Sequence, residues 1–387
     1  MRLLPFKYMQ GSSVFSVLLI LLTSACVDRI NFDIGHEVIF TFVIDGHITD
    51  QPGPYTVKIN SAFDIESKLS PRTARSVKRV VLSDNKGERE ELSEVDMGIY
   101  QTDPNGIRGK IGRAYTLRLE LVDGRIYESL PDTLNSPGTV DSIYFNFVQG
   151  VTKDGATKYG FDIFFNSSAA TKENYYFLWR FTATFQSDTR PTPSDRNGCT
   201  PVGGKCNYVP LCSGLLNVGG YTFISAVWEQ MKPCECCTCW YNIFNPDLIL
   251  SDNQLLRSGR FLGVKAYSLP LSAWYFQHKV HVEISQMSLS RQTFDFWKAV
   301  KAQKTAANSL FQPITGKVPS NFVELTNTGI PMEGLFYAAA VTGKSTFITR
   351  EDVPNPGIIP DIEQPWFDSC LTLFPNGTTT KPSFWVD

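Results

Sequence analysis

The segment Tyr115–Tyr127, YTLRLELVDGRIY, gives the clearest indication of the fold. Apolar and polar residues alternate along its first part, which is typical of a β-strand with one buried and one exposed face. The Asp-Gly pair at 123–124 is typical of a tight turn between antiparallel strands, and the residues after it resume the alternation. We therefore predict a β-hairpin here.

Similar short runs, rich in β-branched and aromatic residues and separated by turn residues, extend along the chain. The predicted strands are Val38–Ile44, ended by a turn at Asp45-Gly46, then Tyr55–Ile59, Val77–Leu82, Val140–Phe147, Gly160–Phe165, Tyr175–Phe185, Phe261–Tyr267, Lys279–Ile284 and Gly334–Val341. Aromatic residues make up 13% of the chain and charged residues 19%, a balance that suits an exported β protein better than a helical cytosolic one. We predict a mostly β fold.

One helix is predicted, from Ser290 to about Lys304, with Ser290 as its N-cap. Phe294, Trp297 and Val300 recur on one face of this helix. A stripe of this width suits a helix docked on a sheet, so we expect these three side chains to pack against the second of two sandwiches.

Proline and small polar residues cluster between 130 and 138, which predicts a linker. A chain of this length is expected to form two domains. The predicted organisation is a lipoprotein signal peptide at 1–25, a lipidated tether at 26–36, an N-terminal β-sandwich at 37–130 and a C-terminal β-rich domain at 138–387. The second domain would hold a cysteine-rich loop and the docked α-helix.

The N-terminus has the features of a secretory signal. Arg2 and Lys7 precede an uncharged apolar run, VFSVLLILL at 14–22, and small residues then lead to Cys26. The apolar run is too short for a spanning helix. A cysteine at this place resembles the lipobox of bacterial lipoproteins, although Thr23 stands where leucine is usual. We expect acyl chains such as palmitate on Cys26, with an ordinary cleaved signal as the alternative.

An even number of cysteines remains, which in an exported chain predicts disulfides. The candidates are Cys199, Cys206, Cys212, Cys234, Cys236, Cys237, Cys239 and Cys370. Because adjacent cysteines do not readily bridge each other, we expect each of the four at 234–239 to pair with one of the other four. Zinc or copper thiolate ligation is the alternative, although the spacing differs from that of structural zinc sites. No metal or cofactor site is predicted.

Other groups that could carry chemistry have simpler interpretations. The aromatic stripe of the strand at 175–185 could stack sugars, but we expect it to be a core face; its members are Tyr175, Phe177, Trp179, Phe181 and Phe185. His278, His281 and Glu283 do not share a strand face, so a surface or strand-end role is expected for the histidines rather than metal binding.

Catalysis is not predicted. The sequence has no G-x-S-x-G elbow, no H-E-x-x-H helix and no phosphate-binding glycine loop. A hydrolytic pair of dispersed carboxylates leaves no trace in a sequence and stays an alternative. The formal charge of −2 argues against a nucleic-acid partner.

Three segments, Gly46–Ile59, Gly112–Tyr127 and Ser288–Trp297, together resemble a known family. It is a domain-of-unknown-function family of outer-membrane lipoproteins from Bacteroidetes-type bacteria. The resemblance implies two β domains, the first immunoglobulin-like or transthyretin-like, and genes beside those of TonB-dependent receptors. It brings no catalytic residues. Asp28 and Asp33 partly match the acidic signal that directs such lipoproteins to the cell surface.

The expected function is therefore that of a non-enzymatic lipoprotein, anchored in the outer membrane by lipid and facing the cell exterior. It would act as the accessory partner of a TonB-dependent receptor or of another outer-membrane assembly. The alternative is a surface lipoprotein that binds a glycan or another substrate. Exposed aromatic residues would favour the glycan, and a large apolar patch would favour a protein partner.

Overall fold

A computed structural model of the chain describes residues 41–62, 77–151, 155–171, 174–189, 201–202, 205–206, 212–219, 227–252, 255–307, 318–359 and 369–386. Cys26, the signal segment and the tether lie outside these residues. The described part is mostly β, as predicted, and its strands form two sandwiches with separate cores. Among the described helices none is long and apolar enough to cross a membrane.

The first sandwich consists of two sheets. Sheet A has the order β23-β1-β2-β6-β5, and its strands are β1 (Thr41–Thr49), β2 (Thr56–Ala62), β5 (Ser93–Asp96), β6 (Ile99–Gln101) and β23 (Glu333–Ala339). Sheet B has the order β22-β8-β7-β3-β4, with β9 also on β7, and its strands are β3 (Val77–Asp84), β4 (Arg89–Glu91), β7 (Ala114–Leu121), β8 (Ile126–Ser129), β9 (Asp132–Thr133) and β22 (Phe322–Glu324).

The predicted hairpin is confirmed as β7 and β8. Tyr115, Leu117 and Leu119 are fully buried, whereas the residues between them are only half-buried, as the alternation requires. These side chains join a core that is largely aliphatic, with Ile44, Ile48, Val57, Ile59, Val80 and Leu82 among its members. The hairpin therefore forms the centre of sheet B.

The predicted turn at Asp45-Gly46 is wrong, because β1 runs through both residues. Strand β1 is paired on both sides, antiparallel to β2 and parallel to β23, and this double pairing keeps its backbone extended. Gly46 is needed there for space: a Cβ at this position would lie 2.9 Å from Cγ2 of Val57.

Two strands from late in the chain complete the first sandwich. β23 pairs with β1 from Val43↔Glu333 to Thr49↔Ala339, and β22 pairs with β8. The boundary predicted between 130 and 138 separates β9 from the strands that follow, but β22 and β23 cross back over it. Residues 322–339 thus belong to the first sandwich, although they lie within the segment predicted as the second domain.

The second sandwich follows the first in sequence. Sheet C has the order β10-β11-β20-β19, and its strands are β10 (Thr139–Val151), β11 (Thr157–Ser168), β19 (Leu256–Arg257) and β20 (Arg260–Pro270). Sheet D has the order β17-β12-β21-β24, with β18 also on β12, and its strands are β12 (Phe177–Asp188), β17 (Thr238–Phe244), β18 (Ile249–Leu250), β21 (Val280–Ser288) and β24 (Val341–Ile348). Two small hairpins pair β13 (Pro201–Val202) with β14 (Lys205–Cys206) and β15 (Leu215–Gly219) with β16 (Val227–Gln230).

The core of the second sandwich is dominated by aromatic rings. The stripe on β12 lies in it, as expected for a core face: Phe177, Trp179, Phe181 and Phe185 are buried, and Tyr175 packs against them. Trp179 also donates from Nε1 to Oε1 of Gln286 at 2.6 Å. The four buried rings have no exposed face on which a sugar could stack, and Tyr175 is half-buried, so the stripe is a core face as expected.

Helix α1 (Arg291–Ala307) begins after Ser290, whose Oγ accepts a hydrogen bond from the Thr293 backbone N–H at 3.1 Å, so the predicted N-cap is confirmed. Its contacting side chains include Phe294, Phe296 and Trp297. They pack on a small cluster to which both sandwiches contribute: Leu178 and Met287 from sheet D, and Leu335 and Tyr337 from β23. A short helix α2 (Cys370–Leu373) and 3-10 turns at Arg350–Asp352 and Pro356–Ile358 complete the described structure.

Candidate functional site

Six of the candidate cysteines form three disulfides in the described part of the chain: Cys212–Cys236, Cys234–Cys237 and Cys239–Cys370. The expectation that every clustered cysteine pairs outside the cluster is wrong for Cys234 and Cys237, because a separation of three residues lets the chain turn back on itself. Cys199 lies outside the described residues, and only the backbone of Cys206 is described. Because these six sulfurs are bonded to one another, none of the six is a free thiolate that could ligate zinc or copper.

The Cys239–Cys370 disulfide joins two segments 131 residues apart in sequence. It ties helix α2 to β17, and Phe374, just after that helix, packs edge-on against Phe185 at 5.3 Å between ring centroids. The backbone N–H of Cys370 also donates to the carbonyl of Cys236 at 3.1 Å. This disulfide thus holds the C-terminal segment against the second core, which is a structural role.

The two candidate histidines have different surroundings. His278 Nε2 lies 2.6 Å from Oδ2 of Asp188 and is half-exposed, in line with the expected surface role. His281 is buried, its ring stacked on Phe384 at 4.1 Å, and this burial lowers its pKa. His281 is the second residue of β21, as a strand-end role requires, but it is not on the surface because Phe384 covers it. In the described residues no three His, Cys, Asp or Glu side chains are grouped to hold a metal ion.

His47 and Tyr337 form a neutral stacked pair where β1 meets β23. Their ring centroids lie 5.2 Å apart. Burial, together with the nearby Arg180 guanidinium, lowers the pKa of His47 to about 4, while burial raises the pKa of Tyr337 to about 12. Both rings are therefore uncharged near neutral pH, and they pack against each other where the two strands pair.

Asp132 lies within the predicted linker but is buried. Its Oδ2 accepts hydrogen bonds from the backbone N–H of Ala338 at 2.9 Å and from Oγ1 of Thr293 at 3.0 Å. Burial raises the pKa of this carboxyl, and these two donors oppose that effect. One side chain thus links the linker, β23 and α1.

One end of the first sandwich differs from the rest of its surface. We call it the proximal end, because β1 begins there at Thr41; it comprises residues 94–98, 122–125 and 323–328. Ala62 lies opposite Thr41, and the Ile59 N–H donates to the Gly98 carbonyl at 2.8 Å, which places the turn between β5 and β6 at this end.

The other two parts of the proximal end follow from strand register. The Leu325 N–H donates to the Ile126 carbonyl at 2.8 Å, beside the turn between β7 and β8. The chain after Leu325 then leads to β23, whose first residue, Glu333, pairs with Val43 near the start of β1. All three segments therefore lie at the end where the N-terminal part of the chain joins the sandwich.

Apolar side chains are exposed at the proximal end. Their exposed fractions lie between 46% and 66%, and they are Val95, Met97, Val122, Val323 and Leu325. Exposed single apolar residues are ordinary on protein surfaces, but these five lie on short strands and connecting turns at one end of a sandwich, which makes that end a candidate contact surface.

Glu324 holds the loop that presents Leu325. Its Oε1 accepts from the Thr328 N–H at 2.8 Å, and its Oε2 accepts from the Gly329 N–H at 2.9 Å. Hydrogen bonds, foremost from the Thr328 hydroxyl, lower the pKa of Glu324 to about 2. The carboxylate therefore stays ionised at neutral pH and fixes the loop, and a surface fixed in advance loses less entropy when it binds.

A family model described as a domain of unknown function (DUF4249) matches residues 28–345, well over half of the chain. No curated protein and no solved structure is similar enough to count as a match.

Proposed function

The chain belongs to the DUF4249 family, and on this premise we propose that it is a non-enzymatic outer-membrane lipoprotein that acts as the accessory partner of a TonB-dependent receptor. Its anchor is lipid on Cys26, and its proximal end contacts the receptor. The observation that carries the proposal is the group of exposed apolar side chains at the end of the first sandwich where the N-terminal part of the chain arrives.

The length of chain before β1 supports this arrangement. Residues 26–41 can span at most about 50 Å when fully extended, so a lipid on Cys26 keeps the proximal end close to the membrane. A protein embedded in that membrane is then the partner within reach. Asp28 and Asp33 support an orientation toward the cell exterior.

The chemistry of the proximal end favours a protein over the lipid bilayer itself. Carboxylates of Glu94, Asp96 and Asp123 are exposed among the apolar side chains. Moving such charges into hydrocarbon is costly, whereas a protein interface accepts a mixture of apolar and hydrated charged groups. We therefore propose that the proximal end binds extracellular or rim residues of a β-barrel receptor.

Site-specific photo-crosslinking in intact outer membranes tests this assignment. A photoreactive residue at Met97 or Val122 should crosslink a TonB-dependent receptor, because both side chains lie in the proposed interface. The matched control is Val151, an exposed apolar residue on β10 of the second sandwich, which should give no such product. Equal crosslinking from 97 and 151, or crosslinks to lipid alone, would contradict the proposal.

Cys26→Ser supplies the control for the anchor. The variant should lack acyl chains on its mature N-terminus, as measured by mass spectrometry, and should lose the receptor crosslink from position 97. An unlipidated N-terminus on the unmutated chain would overturn the anchor, whatever the crosslinking showed.

A further inference from the structure

Two aromatic rings lie on the outer face of sheet C, away from either core. Tyr144 on β10 pairs in register with Phe164 on β11, and their rings are stacked with centroids 5.6 Å apart and an interplanar angle of 17°. The residues flanking them, such as Phe145 and Phe165, point the other way and belong to the second core. Tyr144 keeps 39% of its surface exposed. This pair, which we call the platform, is therefore not needed to fill a core.

Gly263 on β20 keeps the platform open. Strand β11 lies between β10, which carries Tyr144, and β20, which carries Gly263. A Cβ on Gly263 would nevertheless lie only 3.5 Å from the Tyr144 hydroxyl. The tyrosine side chain therefore extends across the face of the sheet toward β20. Gly263 has a φ of +66°, which side chains other than glycine rarely adopt. A larger residue there would cover the edge of the ring.

Polar side chains held in fixed positions surround the platform. Asn166 accepts from the Gly263 N–H at 2.8 Å and donates to Oγ of Ser142 at 2.9 Å. Asp162 accepts from Nζ of Lys265 at 2.8 Å and from Oγ of Ser268 at 2.6 Å. The charges beside the rings are thus paired, and the surrounding groups offer both donors and acceptors.

We propose that the Tyr144–Phe164 platform binds a pyranose ring of a neutral glycan. An aromatic face is electrostatically negative, so it complements the weakly positive C–H face of a sugar. The sugar hydroxyls at the edge of that face then meet Asp162, whose carboxylate accepts hydrogen bonds, and Asn166 and Ser142, which can donate or accept. The paired charges match a neutral ligand, and the small apolar area between polar groups suits a sugar rather than a protein partner.

This inference does not rest on receptor binding, because the platform lies on the second sandwich and the proximal end on the first. The experiment uses the full-length chain in detergent and affinity electrophoresis through gels that contain soluble starch, barley β-glucan or yeast mannan. At least one of these neutral polysaccharides should retard the chain. Tyr144→Ala should weaken that binding on the order of tenfold, since a stacked aromatic contact and its buried area are lost.

Two control variants show whether a loss of binding comes from the lost aromatic contact or from misfolding. Tyr144→Phe keeps the ring and should bind within about twofold of the parent, because removing one exposed hydroxyl leaves the face intact. Phe244→Ala removes an exposed ring on β17 of sheet D and should leave binding unchanged. If Tyr144→Ala does not fold, Tyr144→Thr, a good strand former, takes its place.

The proposal is overturned if none of the three polysaccharides retards a folded parent chain. It is equally overturned if Tyr144→Ala, or its threonine substitute, is retarded as strongly as the parent. In either case the pair would serve only as a cross-strand contact that stabilises sheet C.

Discussion

The two sandwiches solve the same problem by different means. Each must hold segments that are far apart in sequence, and the ordering of those segments costs conformational entropy. The first sandwich does this with backbone pairing: β23 joins β1 across almost the whole chain, and no cysteine lies between residues 27 and 198. The second sandwich uses the Cys239–Cys370 disulfide and an aromatic core.

Strand pairing and disulfide bonding make different demands on the sequence. A parallel strand such as β23 needs every residue in register, including Gly334, whose φ of +107° and close approach to the Ile44 backbone leave no room for a Cβ. A disulfide needs only two residues and tolerates irregular chain on either side.

The largest expected effect on stability comes from removing the disulfide of the second sandwich. Replacing both Cys239 and Cys370 by alanine should lower the free energy of unfolding by about 4–5 kcal/mol, because a bridge across a loop of this length restricts the unfolded chain most. Urea unfolding of the purified protein measures the change. Replacing Cys234 and Cys237 instead should cost about 2 kcal/mol, since their loop is short. Equal costs for the two double variants would contradict this account.

The second prediction concerns β23, the late strand that pairs with β1 in the first sandwich. Phe336→Ala on β23 should lower the free energy of unfolding by about 4 kcal/mol, because a fully buried ring is lost from the first core. Val323→Ala on β22, an exposed position in the neighbouring returning strand, should change it by less than about 0.5 kcal/mol. Thermal unfolding monitored by circular dichroism compares the two variants. A negligible effect of Phe336→Ala would mean that β23 does not complete the first core.

Trp297 tests the helix that packs on both sandwiches. Trp297→Ala should lower the free energy of unfolding by about 3 kcal/mol, the lower end for tryptophan, because the ring is half-buried against the cluster that includes Tyr337. Trp297→Phe should cost less than about 1 kcal/mol, since it keeps a ring and removes a buried Nε1–H that has no partner in the described residues. Denaturant unfolding of both variants checks this, and a stable alanine variant that no longer crosslinks a receptor would make Trp297 an interface residue instead.

The smallest expected effect is pH-dependent. Because His47 has a folded pKa of about 4 against 6.5 for an ordinary histidine, the unfolded chain binds a proton between these values that the folded chain does not. The contribution of His47 to stability is therefore full well above pH 6.5 and is lost as the pH falls, by about 1.5 kcal/mol between pH 6.5 and 5. His47→Phe keeps a ring on Tyr337 without a titrating group.

The comparison of pH profiles isolates this contribution from that of the carboxylates. The free energy of unfolding of His47→Phe should fall less steeply than that of the parent chain between pH 6.5 and 5. Parallel profiles would show that His47 is solvated rather than held neutral against Tyr337.

The sequence by itself predicts those features that depend on local period and on composition. Alternation identified the β7–β8 hairpin, since a strand shows its two faces at every second residue. The aromatic stripe on β12 was correctly expected in a core, and Ser290 was correctly expected to cap a helix. The even number of cysteines left after Cys26 predicted disulfides, and six of these cysteines form three. Lipidation of Cys26 and the receptor partner stay predictions.

Only the tertiary structure decided the features that depend on partners distant in sequence. The pairing of β1 with β23 removed the expected turn at Asp45-Gly46, and Phe384 buried His281. Asp132, predicted to lie in a linker, is buried and accepts hydrogen bonds from Ala338 of β23 and Thr293 of α1. The platform of Tyr144 and Phe164 needed strand register to be recognised, since each lies in an apolar run where neighbouring aromatics face the core. The local sequence pattern shows on which face of a strand or helix a side chain lies. Only the complete set of long-range contacts determines what packs against that face.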